Sequence, residues 1–562
     1  MDLMFNSNFK KMKIINITKT TILSIGLMAF VGCQESLDEI NINPNQPEQV
    51  PTSGLMNSAT KELMDATRND FESGRMTLPW VQYSAQVAYT EEDRFQFRET
   101  SSAAIYNNLY RVAVDYQSII KLNTNPATMT QASAYGNNSN QIAVSRIMLS
   151  YIFSILADTF GSVPYYSYGN SDPDFQALNL ATYPQPKYAS QDKIYSDILK
   201  ELKESSNQLV LSDNKFDGDP IYNGNMTKWK KFANSLRLRI ANRLKVALPE
   251  AQSHITDAIS SGVMTSNNDN AVLVYAASNP QLASPMYTAM FVNSRTDFKI
   301  TDTMVKALKG EKGGFGLDPR LYKYAAPVFK VDADDNYILD NSGNKRQNFV
   351  TPSLGSFTYT PSKRLDNYIG LPYGLTRQMV AVQNASGASN WSNNVIKPNF
   401  GEVLMEYAEV EFLLSEINGW DDNHYKNGVK ASMERWGVPT SDINSFVNAL
   451  PVANQANVLN QKYLALFMQP QEAYAEYRRT GYPNFLLKPG ETNNLLIPTT
   501  AGATTYVFTP ISPAGSTLTE MPARITYPVT LRQYNPNGYN SGVANLGTGG
   551  DKLTTKLIWD KN

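Results

Sequence analysis

At 562 residues, 42% of them hydrophobic and 18% charged, the chain has ample material for a globular core. A net charge of −1, with no basic run beyond a short N-terminal one, excludes a nucleic-acid binder, which needs clustered Lys and Arg to neutralise phosphates. One cysteine, Cys33, and two histidines, His254 and His424, exclude an intrachain disulfide and a His/Cys zinc site, and each histidine reads as a surface or helix-end residue.

The N-terminus reads as a targeting segment. Lys10, Lys11, Lys13 and Lys19 precede an uncharged, largely apolar run from Thr20 to Val31, then Gly32 and Cys33. That run is too short to cross a bilayer of about 30 Å. FVGC resembles a bacterial lipobox, with Phe30 in place of the usual leucine, so Cys33 is expected to be the lipidated first residue of the mature protein. Met12 would make a more ordinary signal start than Met1. Residues 33–52, QESLDEININPNQPEQVP after the cysteine, are polar and rich in Pro and Asn, as a tether would be. Glu35, Asp38 and Glu39 resemble the acidic signal that sends lipoproteins to the cell surface.

From Ser53 helical patterns dominate. Expected helices are Asn57–Phe71, Leu78–Ala88 with Trp80, Tyr83 and Val87 on one side, and Ala104–Leu122. Gln141–Phe160 is the most apolar and is expected to be buried on most sides, ending at Gly161 and Pro164. An amphipathic helix bearing Ile194, Ile198 and Leu202 starts at Ser190, and a helix containing Trp229 follows the turn at Asn223-Gly224. Asn427-Gly428 likewise reads as a turn. Asp332, Asp334 and Asn336 open like a calcium loop, but Tyr337 and Gly343 stand where Gly and Glu are required, so a surface hairpin turn is the better reading.

Gly401–Asn418 reads as one helix, with Glu402, Glu406, Glu409 and Glu416 on a polar stripe and Glu411 opposite, among apolar residues. A lone buried carboxylate is costly, so Glu411 is expected to pair with Arg239, Arg243, Arg478 or Arg479. In Ala453–Pro483, Val458, Leu459, Tyr463, Leu464, Leu466 and Phe467 form an apolar face. Pro470 ends that helix and opens a second, which carries Arg478 and Arg479 in its last turn and stops at Gly481. Beyond Leu487 the chain turns rich in Gly, Thr, Asn, Pro and Tyr.

The run KYLALFMQPQEAYAEYRRTGYP resembles the C-terminal signature of the SusD/RagB-like family, outer-membrane lipoproteins of the Bacteroidetes. LADTFGSVPY, GDPIYNGNMTKWKKFANSLRLRIANRL, the helix from Gly401, YKNGVKASMERWGV and PARITYP resemble further family elements, in family order; DPRLY at Asp318 and YIGLPYGL at Tyr368 do so more weakly. Where the family often has an acidic residue three after Pro528, this chain has Leu531. The resemblance covers nearly all of residues 33–562. It implies a mostly α fold: a single SusD-like domain, 53–562, with TPR-like helical hairpins and long irregular loop excursions, behind a signal peptide, 1–32, and the tether.

It further implies a surface-exposed lipoprotein that binds an oligosaccharide or similar nutrient and hands it to a SusC-like TonB-dependent transporter, without enzymatic chemistry or cofactor. The expected partners are thus the transporter, an oligosaccharide or peptide ligand, and the membrane. No GxSxG elbow, phosphate loop, HExxH motif or metal set occurs in the sequence. Alternatives are a surface glycoside hydrolase with an unrecognised carboxylate pair, and a RagB-like peptide-binding lipoprotein. The chain holds 32 Tyr, 23 Phe and 6 Trp, a large supply of flat faces for sugar C–H surfaces. Among aromatics in loop-like settings, Trp391, Tyr373, Tyr165 and Tyr166 are the candidate ligand contacts.

Overall fold

The computed structural model describes residues 50–348, 350–351, 356–357, 359–513 and 517–560, so Cys33 and the segment before it lie outside the described residues. Residues from Thr52 form one compact unit. Its first half is a succession of helices, each packed on the next: α1 (Thr52–Arg68), α2 (Glu99–Thr124), α3 (Asn138–Phe160), α4 (Gln191–Gln208), α5 (Met226–Leu244) and α6 (Ala251–Ser261). Asn137 starts α3 by accepting from the Ser139 and Asn140 amides, and Asn225 starts α5 by accepting from Lys228. From Asn140 to Phe160 every residue of α3 is buried, as its all-round apolar sequence requires. It is long and apolar enough to cross a membrane, yet here it is a core helix. Arg146, inside it, is neutralised by Glu201 at 2.8 Å and Glu204 at 2.8 Å from α4.

The second half brings α7 (Tyr407–Ile417) against α5 and against α8 (Asp422–Arg435), then α9 (Thr440–Ala449), α10 (Gln455–Ala465) and α11 (Pro470–Thr480). Pro470 sits at the first turn of α11, and Gly481 closes it with a left-handed φ of 72°. Around α7 to α10 a second apolar cluster forms, with Phe412, Tyr425, Val429 and Phe446. Asn427-Gly428 is helical, not a turn. Gly428 is wanted for space, because a Cβ there would meet the Phe412 ring at 3.1 Å. Asp332 does cap a hairpin turn, accepting from the Asp334 and Asn336 amides, and Asp340 repeats the device eight residues on.

Two expected helices are shorter than the pattern suggests, because strands replace part of each. Leu78–Ala88 contains helix only at Thr77–Trp80. It then forms β1 (Ser84–Gln86), which pairs antiparallel with β3 (Phe298–Ile300). Gly401–Met405 is a strand, β4, paired with β2 (Ala271–Val274), and the helix begins only at Tyr407. The chain between β2 and β3, residues 275–297, includes a π-helical turn at Thr288–Val292.

That shift of register buries the acidic stripe. Glu402, Glu406, Glu409 and Glu416 are all buried, facing Arg68, Arg435, Arg239 and Arg479. Arg239 takes Glu409 in a bidentate grip, Nε to Oε1 at 2.6 Å, with Glu472 at 3.6 Å. Arg243 joins Asp158, Glu472 and Glu476. Arg478 instead donates to the carbonyls of Tyr474 and Ala523. Glu411, expected to hold an arginine, is buried but meets His424 Nδ1 at 2.8 Å. The Asp421 cap places His424 in the first turn of α8, beside α7. Near the C-terminus, Arg524 pairs with Asp551 at 2.6 Å, and Leu531 opens a short helix.

These carboxylates titrate differently. Burial raises Glu402 to about 7 despite Arg68, and its Oε2 has no hydrogen-bond partner. Glu416 is as buried, but the Arg479 fork outweighs burial and brings it down to about 2. A carboxyl raised from 4.5 to about 7 on folding contributes stability below pH 4.5 that is lost by about pH 7. Glu402→Gln has no such loss. The variant should match the parent near pH 4.5 and exceed it by about 3 kcal/mol near pH 8 in urea unfolding. An equal effect at both pH values would show that Glu402 does not titrate with folding.

A candidate ligand platform at Tyr89

Three segments meet at the open end of the β1/β3 ribbon. After α1, the Asn69 side chain accepts from the Phe71 and Glu72 amides, and Gly74 donates to the Asn69 carbonyl at 2.9 Å. A Cβ on Gly74 would lie 2.5 Å from the Asp70 carbonyl oxygen, so only glycine permits this tight turn. The turn presents Phe71 and Arg75. β1 then leads to Tyr89, and β3 is preceded by Arg295 and Asp297. Val87 donates to the Asp297 carbonyl at 2.7 Å, carrying the ladder past the last paired residues.

At the centre is the half-buried ring of Tyr89. The Arg75 guanidinium lies 4.6 Å from its centroid and 4.9 Å from that of Phe71, and Arg295 lies 5.1 Å from Tyr89. Asp70 at 3.0 Å and Asp297 at 2.8 Å orient Arg295. Beneath, fully buried Glu92 is 3.8 Å from Arg75 and pairs with Arg98. Asp93, also buried, accepts from the Gln86 amide at 2.7 Å, and burial pushes its carboxyl well above the usual range. Flat rings beside guanidinium forks and carboxylates can hold a sugar: the C–H face packs on the ring, and vicinal hydroxyls donate and accept at its edge.

Two openings lie along the C-terminal segment and share Thr554. One, about 590 Å³, is bounded by Phe97, Glu99, Pro513 and Lys552; the other, about 370 Å³, by Tyr477, Lys488, Glu520 and Lys556. Either could admit a small ligand, but each offers a single aromatic ring. Among the described residues no group of three or more His, Cys, Asp or Glu is placed to hold a metal ion.

The four aromatics singled out by sequence do not converge. Trp391 is fully buried and stacks on Phe298 at 5.9 Å, Tyr373 packs on Phe508, and the Tyr165 hydroxyl donates to buried Asp197 at 2.9 Å. Their rings serve the core, which corrects their reading as ligand contacts; Tyr166 alone keeps part of its surface. Tyr89, Phe71, Arg75 and Arg295 went unrecognised because they are scattered over more than 200 residues. VAYTEED carries no strand signal of its own: the segment before it has a helical pattern, and Tyr89 lies three residues past the end of β1.

The chain matches a family model described as "Starch-binding associating with outer membrane" over residues 44–354 and 351–502, and one described as "Susd and RagB outer membrane lipoprotein" over 452–560. No curated protein matches it by sequence. Solved structures share its fold. A chitin-binding protein is 24% identical with a TM-score of 0.66, covering 90% of this chain and 100% of its own. A SusD-like protein of Bacteroidetes AC2a is 21% identical at 0.66, covering 91% and 100%. A SusD homologue from Parabacteroides distasonis is 19% identical at 0.65, covering 91% and 98%. With the helical scaffold and the family match spanning nearly all of the described residues, this chain belongs to the SusD-like family of outer-membrane nutrient-binding proteins.

Proposed function

We propose that this protein captures a glycan on the Tyr89 platform and delivers it to a SusC-like TonB-dependent transporter, without chemical change to the ligand. The observation that carries this reading is the convergence of Tyr89, Phe71, Arg75 and Arg295 in a member of a nutrient-binding family. The chitin-binding function of one structural relative supports a sugar over a peptide. Residues 1–32 are a signal peptide, Cys33 carries the lipid and residues 33–52 tether domain 53–562 to the outer membrane, facing the cell exterior. Two or more acyl chains, at about 0.8 kcal/mol per buried CH₂, give stable anchoring.

The test is a panel of oligosaccharides and peptides offered to purified protein, with both binding and products followed. Saturable binding of a glycan without product is expected. Turnover would establish the hydrolase alternative, and binding of peptides alone the RagB-like one. In cells, the protein should fractionate with the outer membrane and co-purify in mild detergent with the transporter. Cys33→Ala should release it from the membrane or leave it unprocessed. Mature protein that still carries residues before Cys33 would end the anchor proposal.

A further inference from the structure

We infer that Tyr168 is a second and weaker sugar contact, separate from Tyr89, that takes the C–H face of a neutral hexopyranose. It rests on the sugar-binding function proposed above and not on the Tyr89 platform. The ring is 40% exposed, and the Arg146 guanidinium lies against one face, 4.9 Å from the centroid. Arg146 cannot turn away. It is buried in α3, where Nε and Nη2 donate to Glu201 at 2.8 and 2.9 Å, Nη2 to Glu204 at 2.8 Å and Nη1 to Gln208 at 2.8 Å. The loop is fixed as firmly. Glu201 Oε1 accepts from the Ser167 hydroxyl at 3.2 Å and the Gly169 amide at 2.9 Å, the residues on either side of Tyr168. Asn170 donates to Asp197 at 2.8 Å, and Lys200 to the Gly169 carbonyl at 3.3 Å. A Cβ on Gly169 would stand 2.9 Å from carboxylate oxygens of both Glu201 and Glu204, so glycine lets the loop lie this close.

A ring held in this way gives up little freedom on binding, which favours contact with a weakly held ligand such as a sugar. Among the described residues no other ring or cation stands against Tyr168, so its outer face is left for stacking. Beside it on α4, the Lys200 and Glu204 side chains are 41% and 42% exposed and can exchange hydrogen bonds with sugar hydroxyls. The charges here cancel. Arg146 and Lys200 are matched by Glu201 and Glu204, which favours a neutral sugar over a charged one. Tyr166, two residues earlier, is half-buried and close enough for the two phenols to feel each other's charge. Roofing the Arg146–Glu201 pair would use only the inner face of Tyr168, and a leucine would serve as well. A sugar contact needs the flat outer face.

The experiment uses the whole mature protein, labelled with 3-fluorotyrosine, and three neutral probes: maltohexaose, cellohexaose and chitohexaose. The fluorine resonance missing from Tyr168→Phe identifies Tyr168. At least one probe should shift that resonance saturably, and equally in the parent and in Tyr89→Ala. In the Tyr89→Ala background, Tyr168→Leu should weaken binding of that probe about tenfold, the scale of one aromatic contact. A Tyr168 resonance that no probe moves overturns the inference, whatever happens at Tyr89. Undiminished affinity in Tyr168→Leu also overturns it, and makes the ring a roof for the ion pair alone. Glycan held at Tyr89 with Tyr168 unmoved would sink this contact and spare the function proposed above. A probe held at Tyr168 and not at Tyr89 would sink the platform and uphold this contact.

Discussion

Arg239→Met should destabilise the protein by about 3–5 kcal/mol, because it strands Glu409 in the core without a counter-charge. The geometry makes this one of the severe positions. Arg239 bridges α5 to α7 and α11, taking Glu409 from one and Glu472 from the other, and also donates to the Leu404 carbonyl. Burial works against the guanidinium charge, yet Glu409 and Glu472 hold it above its ordinary range. Glu409→Met should cost a similar amount by stranding the arginine. The double variant should recover most of the loss, since two methionines occupy similar volume without charge. Arg111, exposed and facing Glu62 at 3.2 Å, is the control, and its alanine variant should stay within about 0.5 kcal/mol. Urea unfolding of the four proteins checks the cycle; strictly additive single effects would show that the pair is not coupled.

Tyr89→Ala should weaken the bound glycan by about 30-fold, near 2 kcal/mol, the scale of an aromatic anchor at the centre of an interface. Tyr89→Phe should retain most of the affinity, because the ring face and not the hydroxyl meets the sugar. Arg75→Met and Arg295→Met should each lose part of it, through the hydroxyl contacts and through the ring they hold in place. Half-exposed Tyr89 can be truncated without opening a core cavity, so the unfolding midpoint should move little. Calorimetry with the ligand found in the panel measures all four. Unchanged affinity in Tyr89→Ala would move the site to the openings at Phe97 or Tyr477.

Much of the scaffold is legible in the sequence because its signals are local. The break at Pro470, the stop at Gly481 and the buried helix before Phe160 depend on the residues where they occur. The misread segments depend on distant partners. Glu402 to Met405 carries a helical pattern, but the backbone pairs with Ala271–Val274, some 130 residues earlier. Once that pairing sets the register, the supposed solvent stripe turns toward Arg68, Arg435 and Arg239. Of these arginines the sequence singles out Arg239 alone, and for Glu411; the structure gives it Glu409. Tyr89 needed Arg75 and Arg295 beside it to stand out from 32 tyrosines, and adjacency across the β1/β3 ribbon has no sequence signature.

The buried helix α3 also bears on how the protein leaves the cytoplasm. An outer-membrane protein crosses the inner membrane as an unfolded thread, and Asn138–Phe160 then passes the translocon with the length and apolarity of a true anchor. Arg146 and Asp158 are the charges that oppose its sideways partition into lipid, each costing up to about 3 kcal/mol near the bilayer centre and less toward its edges. The same two residues are later tied by Glu201 and Arg243 in the folded core. Replacing either with an apolar residue would therefore do more than break an ion pair. It would lower the barrier that keeps this segment moving outward, and strand the protein in the wrong membrane before it could fold.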